Sequence, residues 1–227
     1  MTRSVVIVAG GRGSRMQSDL PKQFMLLLDS PILMHTLERF AMTYEDIEIV
    51  LVLPADQISL WKSMCVQMDF DIPHTTVDGG ETRYDSVKNG LAHCPNEGIV
   101  GVHDGVRPLI SPELIVRCYD AAAEHGSGLP VLPVSQSLRK VDEAKSIALS
   151  REGVVIVQTP QCFDIALLKQ CYDVPFDPSF TDDATVFETA GHAVHLVEGE
   201  ATNLKITTPA DLQIAEALLS PNKKAKR

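Results

Sequence analysis

Val5-Val6-Ile7-Val8-Ala9 runs without a break into Gly10-Gly11-Arg12-Gly13-Ser14-Arg15-Met16 near the start of the chain. The first half offers no polar residue to either side of a pleat, as expected of a strand buried on both faces. The second half turns at once into glycines and arginines. A strand that stops in such a loop predicts an α/β protein with a mostly parallel sheet, helices on both faces, and a ligand beyond the carboxyl ends of the strands. The apolar run is too short for a secretory signal, whose apolar region spans about 7–15 residues, and it is read as a first strand over 4–9.

The rest of the chain repeats the alternation. Apolar runs at 47–53, 74–77, 99–103, 128–133 and 193–197 predict further strands. Between and after them, helices are predicted at 32–42, 56–68, 85–94, 112–125, 166–172, 182–190 and 209–219. Residues 134–157 depart from the pattern. Arg139-Lys140-Val141 and Val154-Val155-Ile156-Val157 flank a polar, acidic connection, which suggests a long hairpin without a core of its own. An isolated two-stranded ribbon is marginal in water, so something should cover it: a second subunit, or nothing more than a surface excursion on a monomer. The expectation is one domain over 1–227 with an arm at about 134–157.

A net charge of −10 disfavours nucleic-acid binding, which rests on neutralising phosphates. No apolar run approaches the roughly 20 residues that span a bilayer. The charge is uneven: residues 1–23 carry +3 and the tail 223–227 carries +4, so the remainder carries −17. A basic opening loop in an acidic chain suggests a small anion held locally, while the basic tail is read as a solvated terminus. Five scattered cysteines without a CxxC pair argue against a zinc site and for a reducing cytoplasm.

Four further motifs follow strands or open helices. In the first loop, the glycines let backbone N–H groups approach a phosphate, and Arg15 and Lys22 can neutralise it. Its spacing is neither GxGxxG nor a Walker A loop. Asp78-Gly79-Gly80-Glu81-Thr82-Arg83-Tyr84-Asp85-Ser86 can read a base edge through its backbone, or Asp85 or Ser86 can simply cap the next helix. His103-Asp104-Gly105-Val106-Arg107-Pro108 places a carboxylate at a strand end, where a Mg²⁺ ligand facing a triphosphate would sit. His103 should point the other way and is given no chemistry. In Thr181-Asp182-Asp183-Ala184, Thr181 or Asp182 should cap a helix, and Lys205 is a further candidate phosphate clamp.

In order along the chain, AGGRGSRM, PKQF, GGETRYDSV, HDGVRP, QTPQCF, TDDATVFE and NLKITTPADL resemble the 2-C-methyl-D-erythritol 4-phosphate cytidylyltransferases of the non-mevalonate isoprenoid pathway. The resemblance spans about Val5 to Leu218. It implies a Rossmann-like nucleotidyltransferase fold, CTP and a sugar-alcohol phosphate as substrates, Mg²⁺, and a homodimer with exchanged arms. By the same resemblance Ala9, Gly10, Gly11 and Gly13 would wrap the CTP phosphates, with Arg15, Lys22 and Lys205 catalytic. Gly80, Glu81, Ser86 and Gly105 would bind the nucleotide, and Asp104 the metal. Arg107, Ser137, Arg151 and Thr159 would serve the acceptor, the arm reaching in from the partner. Gly105-Val106 and Ser137 depart from the family's usual two alanines and threonine, and both changes keep the backbone contact or the hydroxyl. The competing readings are a ribitol 5-phosphate cytidylyltransferase and a non-catalytic nucleotide-binding module. An NAD-dependent oxidoreductase is disfavoured by the loop spacing.

Overall fold

The computed structural model describes residues 1–11, 20–142 and 145–220. Gly13 and Arg15, and the basic tail, lie outside the described residues. The strands are β1 (Arg3–Val8), β2 (Leu26–Leu27), β3 (Ser30–Pro31), β4 (Glu48–Leu53), β5 (Thr75–Asp78), β6 (Ile99–Asp104), β7 (Ser127–Pro133), β8 (Leu138–Asp142), β9 (Lys145–Leu149), β10 (Val155–Val157), β11 (Gln161–Asp164) and β12 (Leu196–Glu198). The helices are α1 (Ile32–Thr43), α2 (Ala55–Gln67), α3 (Arg83–Leu91), α4 (Pro112–His125), α5 (Ile165–Cys171), α6 (Asp183–Thr189) and α7 (Pro209–Leu219).

The main sheet runs β10-β7-β11-β6-β1-β4-β5, with β12 beside β7. Pairings of β1 with β4 and β6, of β4 with β5, and of β12 with β7 are parallel. The opening strand is therefore central, and its alternation serves two cores. Val5 and Ile7 pack with Leu37 and Phe40 of α1, Trp61 of α2 and Ile115 of α4. Val6, with Val52 and Val102, packs on the opposite face with Val87 of α3, Leu168 of α5 and Phe187 of α6. Gly90 lets α3 lie close to the sheet: a Cβ there would stand 2.5 Å from a methyl of Val6.

Three features differ from expectation. Gln161–Asp164 forms β11, inserted antiparallel between β6 and β7, where no strand was predicted. It is four residues long, bounded by Pro160 and by Asp164, which caps α5, so it shows no period to detect. The strand expected at 193–197 pairs only from Leu196, because the hydroxyl of Ser127 accepts from the His195 N–H at 2.9 Å in place of a ladder bond. The helix expected from residue 85 starts at Arg83 and is capped by Thr82. Asp85 instead returns the second bond of a capping box, accepting from the Thr82 N–H.

β10 pairs antiparallel with the end of β7, and β8 and β9 form a separate two-stranded ribbon beyond it. Val141 and Ile147 on the ribbon are 71% and 62% exposed.

Candidate active site

The carboxyl ends of β1, β4, β5 and β6 open onto a cleft of about 360 Å³. Ala9, Gly10 and Gly11 form one wall, with Lys22 alongside: a Cβ on Gly11 would lie 3.5 Å from Lys22 Cε. The turn is pinned by Gln23, whose amide donates to the Ala9 carbonyl at 2.7 Å. Gln23 belongs to the quoted PKQF motif but was assigned no role.

Gly79, Gly80, Glu81, Thr82, Arg83 and Ser86 form the facing wall. Gly80 donates its N–H to the Ser86 hydroxyl at 3.1 Å, and that hydroxyl donates to the Thr82 carbonyl at 2.9 Å. Any side chain on Gly80 would meet Asp85 Cβ at 2.2 Å, so the backbone itself is what faces the cleft. Arg83 was missed as a site residue. Asp183, wholly buried, holds its guanidinium through two bonds of 3.0 and 2.6 Å and also accepts from the Tyr172 hydroxyl at 2.7 Å. Asp182 caps α6, as one of the two expected candidates, and the second aspartate of the pair crosses to α3. A buried carboxylate requires a partner, and Arg83 in the GGETRYDSV motif was the one available signal.

Asp104 closes the back of the cleft. Its Oδ2 accepts from Arg107 Nε at 3.0 Å and lies 3.1 Å from Lys205 Nζ. Burial by itself would raise this carboxyl, but Lys205, Arg107 and Arg83 outweigh it and hold it well below the usual carboxylate range. Asp104 is thus an anion that cations meet on several sides. His103 lies on the other face of β6, edge-on to Phe40, and burial pushes its imidazole down to about 3, leaving it neutral.

The structure brings together Ala9, Gly10, Gly11, Lys22, Gly80, Glu81, Ser86, Asp104 and Lys205 around the cleft. The other expected site residues among those described lie elsewhere. Gly105 sits behind the wall, where a Cβ would stand 2.8 Å from that of Ala9, so it permits a close approach of β6 to the first loop. Arg107 is buried between Asp104 and the Asn203 carbonyl. Thr159, expected on the arm, is buried in the body beneath Asp104. Ser137 and Arg151 are exposed on the arm, away from the cleft of their own chain.

A glycine-rich wall after the first strand, a second glycine turn facing it and a strand-end aspartate between cations, all at the carboxyl ends of parallel strands, mark the class as a nucleotidyltransferase. The family model described as 2-C-methyl-D-erythritol 4-phosphate cytidylyltransferase matches residues 4–221, and the chain belongs to that family. It is similar to relatives of that name from Bacteroides thetaiotaomicron, at 52% identity, and Bacteroides fragilis, at 50%, each covering 96% of this chain and all of the relative. The solved structure of the Thermus thermophilus relative superposes with a TM-score of 0.78 at 34% identity, over 96% of this chain and 98% of that one.

Proposed function

We propose that the chain transfers the cytidylyl group of CTP to 2-C-methyl-D-erythritol 4-phosphate and releases pyrophosphate, in isoprenoid precursor synthesis. The observation that carries this is one cleft lined by Lys22, Arg83, Asp104 and Lys205 together with a glycine turn able to read a base through its backbone. An oxygen of the acceptor's phosphate forms a bond to the α-phosphorus of CTP. The bond from that phosphorus to the bridging oxygen breaks, and its electrons leave with pyrophosphate. The attacking phosphate is already anionic at neutral pH, so no general base is needed. Among the described residues the cleft presents no histidine or cysteine, in keeping with that chemistry. Rate then comes from alignment and from cations that meet the developing charge, a role for Lys22, Lys205 and, by the family resemblance, Arg15.

Magnesium fits the residues present. This ion is usually held by one or two carboxylates together with substrate phosphates rather than by a protein cage. Asp104 offers such a carboxylate, both neighbouring cations take its Oδ2, and the described residues hold no cluster of three or more acidic, histidine or cysteine ligands. When bound there, the ion would neutralise phosphate charge.

The exposed apolar residues of the arm support a homodimer in which Ser137 and Arg151 serve the cleft of the other copy. Five free cysteines suit a reducing cytoplasm. No helix among the described residues is long and apolar enough to cross a membrane.

The test is pyrophosphate release from CTP and Mg²⁺ with either 2-C-methyl-D-erythritol 4-phosphate or ribitol 5-phosphate. Release with the first alone is expected. Release with the second alone would move the chain to the polyol-phosphate reaction, and CTP binding without turnover on either would remove the catalytic reading.

A further inference from the structure

Behind the cleft the polar groups of β6 close into a ring. The Thr159 hydroxyl accepts from the Asp104 N–H at 3.1 Å and lies 3.1 Å from His103 Nδ1. On the far side of the imidazole, Nε2 lies 3.3 Å from the Arg107 carbonyl. Arg107 Nε then donates to Asp104 Oδ2, returning to the residue where the ring began. A carbonyl can only accept, so Nε2 must carry the proton. In a neutral imidazole Nδ1 is then bare, and the Thr159 O–H must be its donor. Every donor in the ring therefore has one acceptor, and a single tautomer satisfies all of them.

The ring is buried and held from outside. His103 is fully buried, and the edge of Phe40 fixes its plane, with ring centroids 4.9 Å apart. Asn203 ties the two flanks, donating to the Thr159 carbonyl at 2.9 Å and accepting from Arg107 Nη1 at 2.9 Å. Neither His103 nor Thr159 reaches the cleft, yet both ends of the chain of bonds arrive at Asp104, one at its backbone and one at its carboxylate.

We propose that His103 is a positioning residue, acting through Thr159 on the backbone of Asp104 and through Arg107 on its carboxylate, so that the oxygen meeting metal-bound nucleotide is held in one orientation. This rests on the assignment of Asp104 to that role in the proposed reaction. Partners that orient a metal-binding carboxylate typically change affinity or activity by 10–100-fold when removed. His103 thereby acquires a function although it touches no substrate, and Thr159 moves from acceptor binding to the support of Asp104.

The experiment compares the unaltered chain with His103→Leu, His103→Gln and Thr159→Val. It measures Mn²⁺ affinity in the presence of CTP, CTP affinity in EDTA, and the melting temperature. Glutamine can present an acceptor toward Thr159 and a donor toward Arg107, whereas leucine fills the space with neither. Expected is a fall of about 10–100-fold in Mn²⁺ affinity for His103→Leu and Thr159→Val, metal-free CTP affinity within about twofold, and substantial recovery in His103→Gln. Mn²⁺ affinity unchanged in a folded His103→Leu, or in Thr159→Val should leucine not fold, would overturn the proposal. So would glutamine failing as badly as leucine. These readouts need no acceptor, so absence of transfer to 2-C-methyl-D-erythritol 4-phosphate by the unaltered chain would sink the proposed reaction and leave this comparison standing. Absence of Mn²⁺ binding with CTP in the unaltered chain would sink both.

Discussion

Behind the cleft, polar groups are buried and all but one are matched; on the arm, apolar groups are exposed and unmatched. His103, Asp104, Arg107, Thr159 and Asn203 are each 9% exposed or less and bond to one another within a single chain, the side-chain oxygen of Asn203 being left without a hydrogen-bond partner. Val141, Ile147 and Ile156, by contrast, are more than half exposed, on strands whose residues are almost all exposed. The first region is expensive to disturb because each buried polar group depends on its neighbour. The second is cheap to disturb within one copy and informative only about what lies against it. The first region is held almost wholly by bonds of its own chain, and the second is shaped for company.

Asp183→Ala should strain this contrast most. It leaves Arg83 and the Tyr172 hydroxyl without their partner, and breaking a buried pair typically costs about 3–5 kcal/mol. The lower figure, about 3 kcal/mol, is expected because the Arg83 side chain keeps 35% of its exposure, and urea denaturation measures it. A loss below about 0.5 kcal/mol would show that the pair is not part of the matched region.

Lys22→Ala comes next. It lies on the cleft wall rather than in the buried ring, so stability should hardly move, while kcat should fall on the order of a hundred- to a thousandfold with CTP affinity nearly kept. Steady-state kinetics beside calorimetric CTP titration separate the two; weakened CTP binding at full kcat would make Lys22 a ground-state anchor. Ile147→Asp should have the smallest effect on the fold, within about 0.5 kcal/mol, yet shift the sedimentation of the chain toward monomer. An unchanged sedimentation coefficient would mean that the ribbon needs no cover.

What was legible in the sequence followed periodicity. The buried central strand was visible because Val5 to Val8 leaves no polar side, and α4 was placed correctly at 112–125, where the structure closes it with the Ser111 cap and the left-handed Gly126. The cleft residues were found through the resemblance of whole motifs, since Gly80 or Lys205 taken singly could be any turn glycine or surface lysine. What was not legible depended on pairs far apart in the chain. Nothing in the neighbourhood of Arg83 announces Asp183, and nothing around His103 announces Thr159. Gly105 and Arg107 were placed on the ligand side because a motif names residues without saying which face of the strand end each occupies.

The Arg83–Asp183 tie also bears on synthesis. Its two ends are 100 residues apart. At about 5–20 residues per second a ribosome takes roughly 5–20 s to cover that distance. Once residue 104 is made, the nascent chain carries the glycine-rich wall and Asp104, while Asp183, Asn203 and Lys205 are still to come. A half-made chain can therefore hold the right loops in sequence without a finished cleft, and competence should arrive late, within the last stretch of translation.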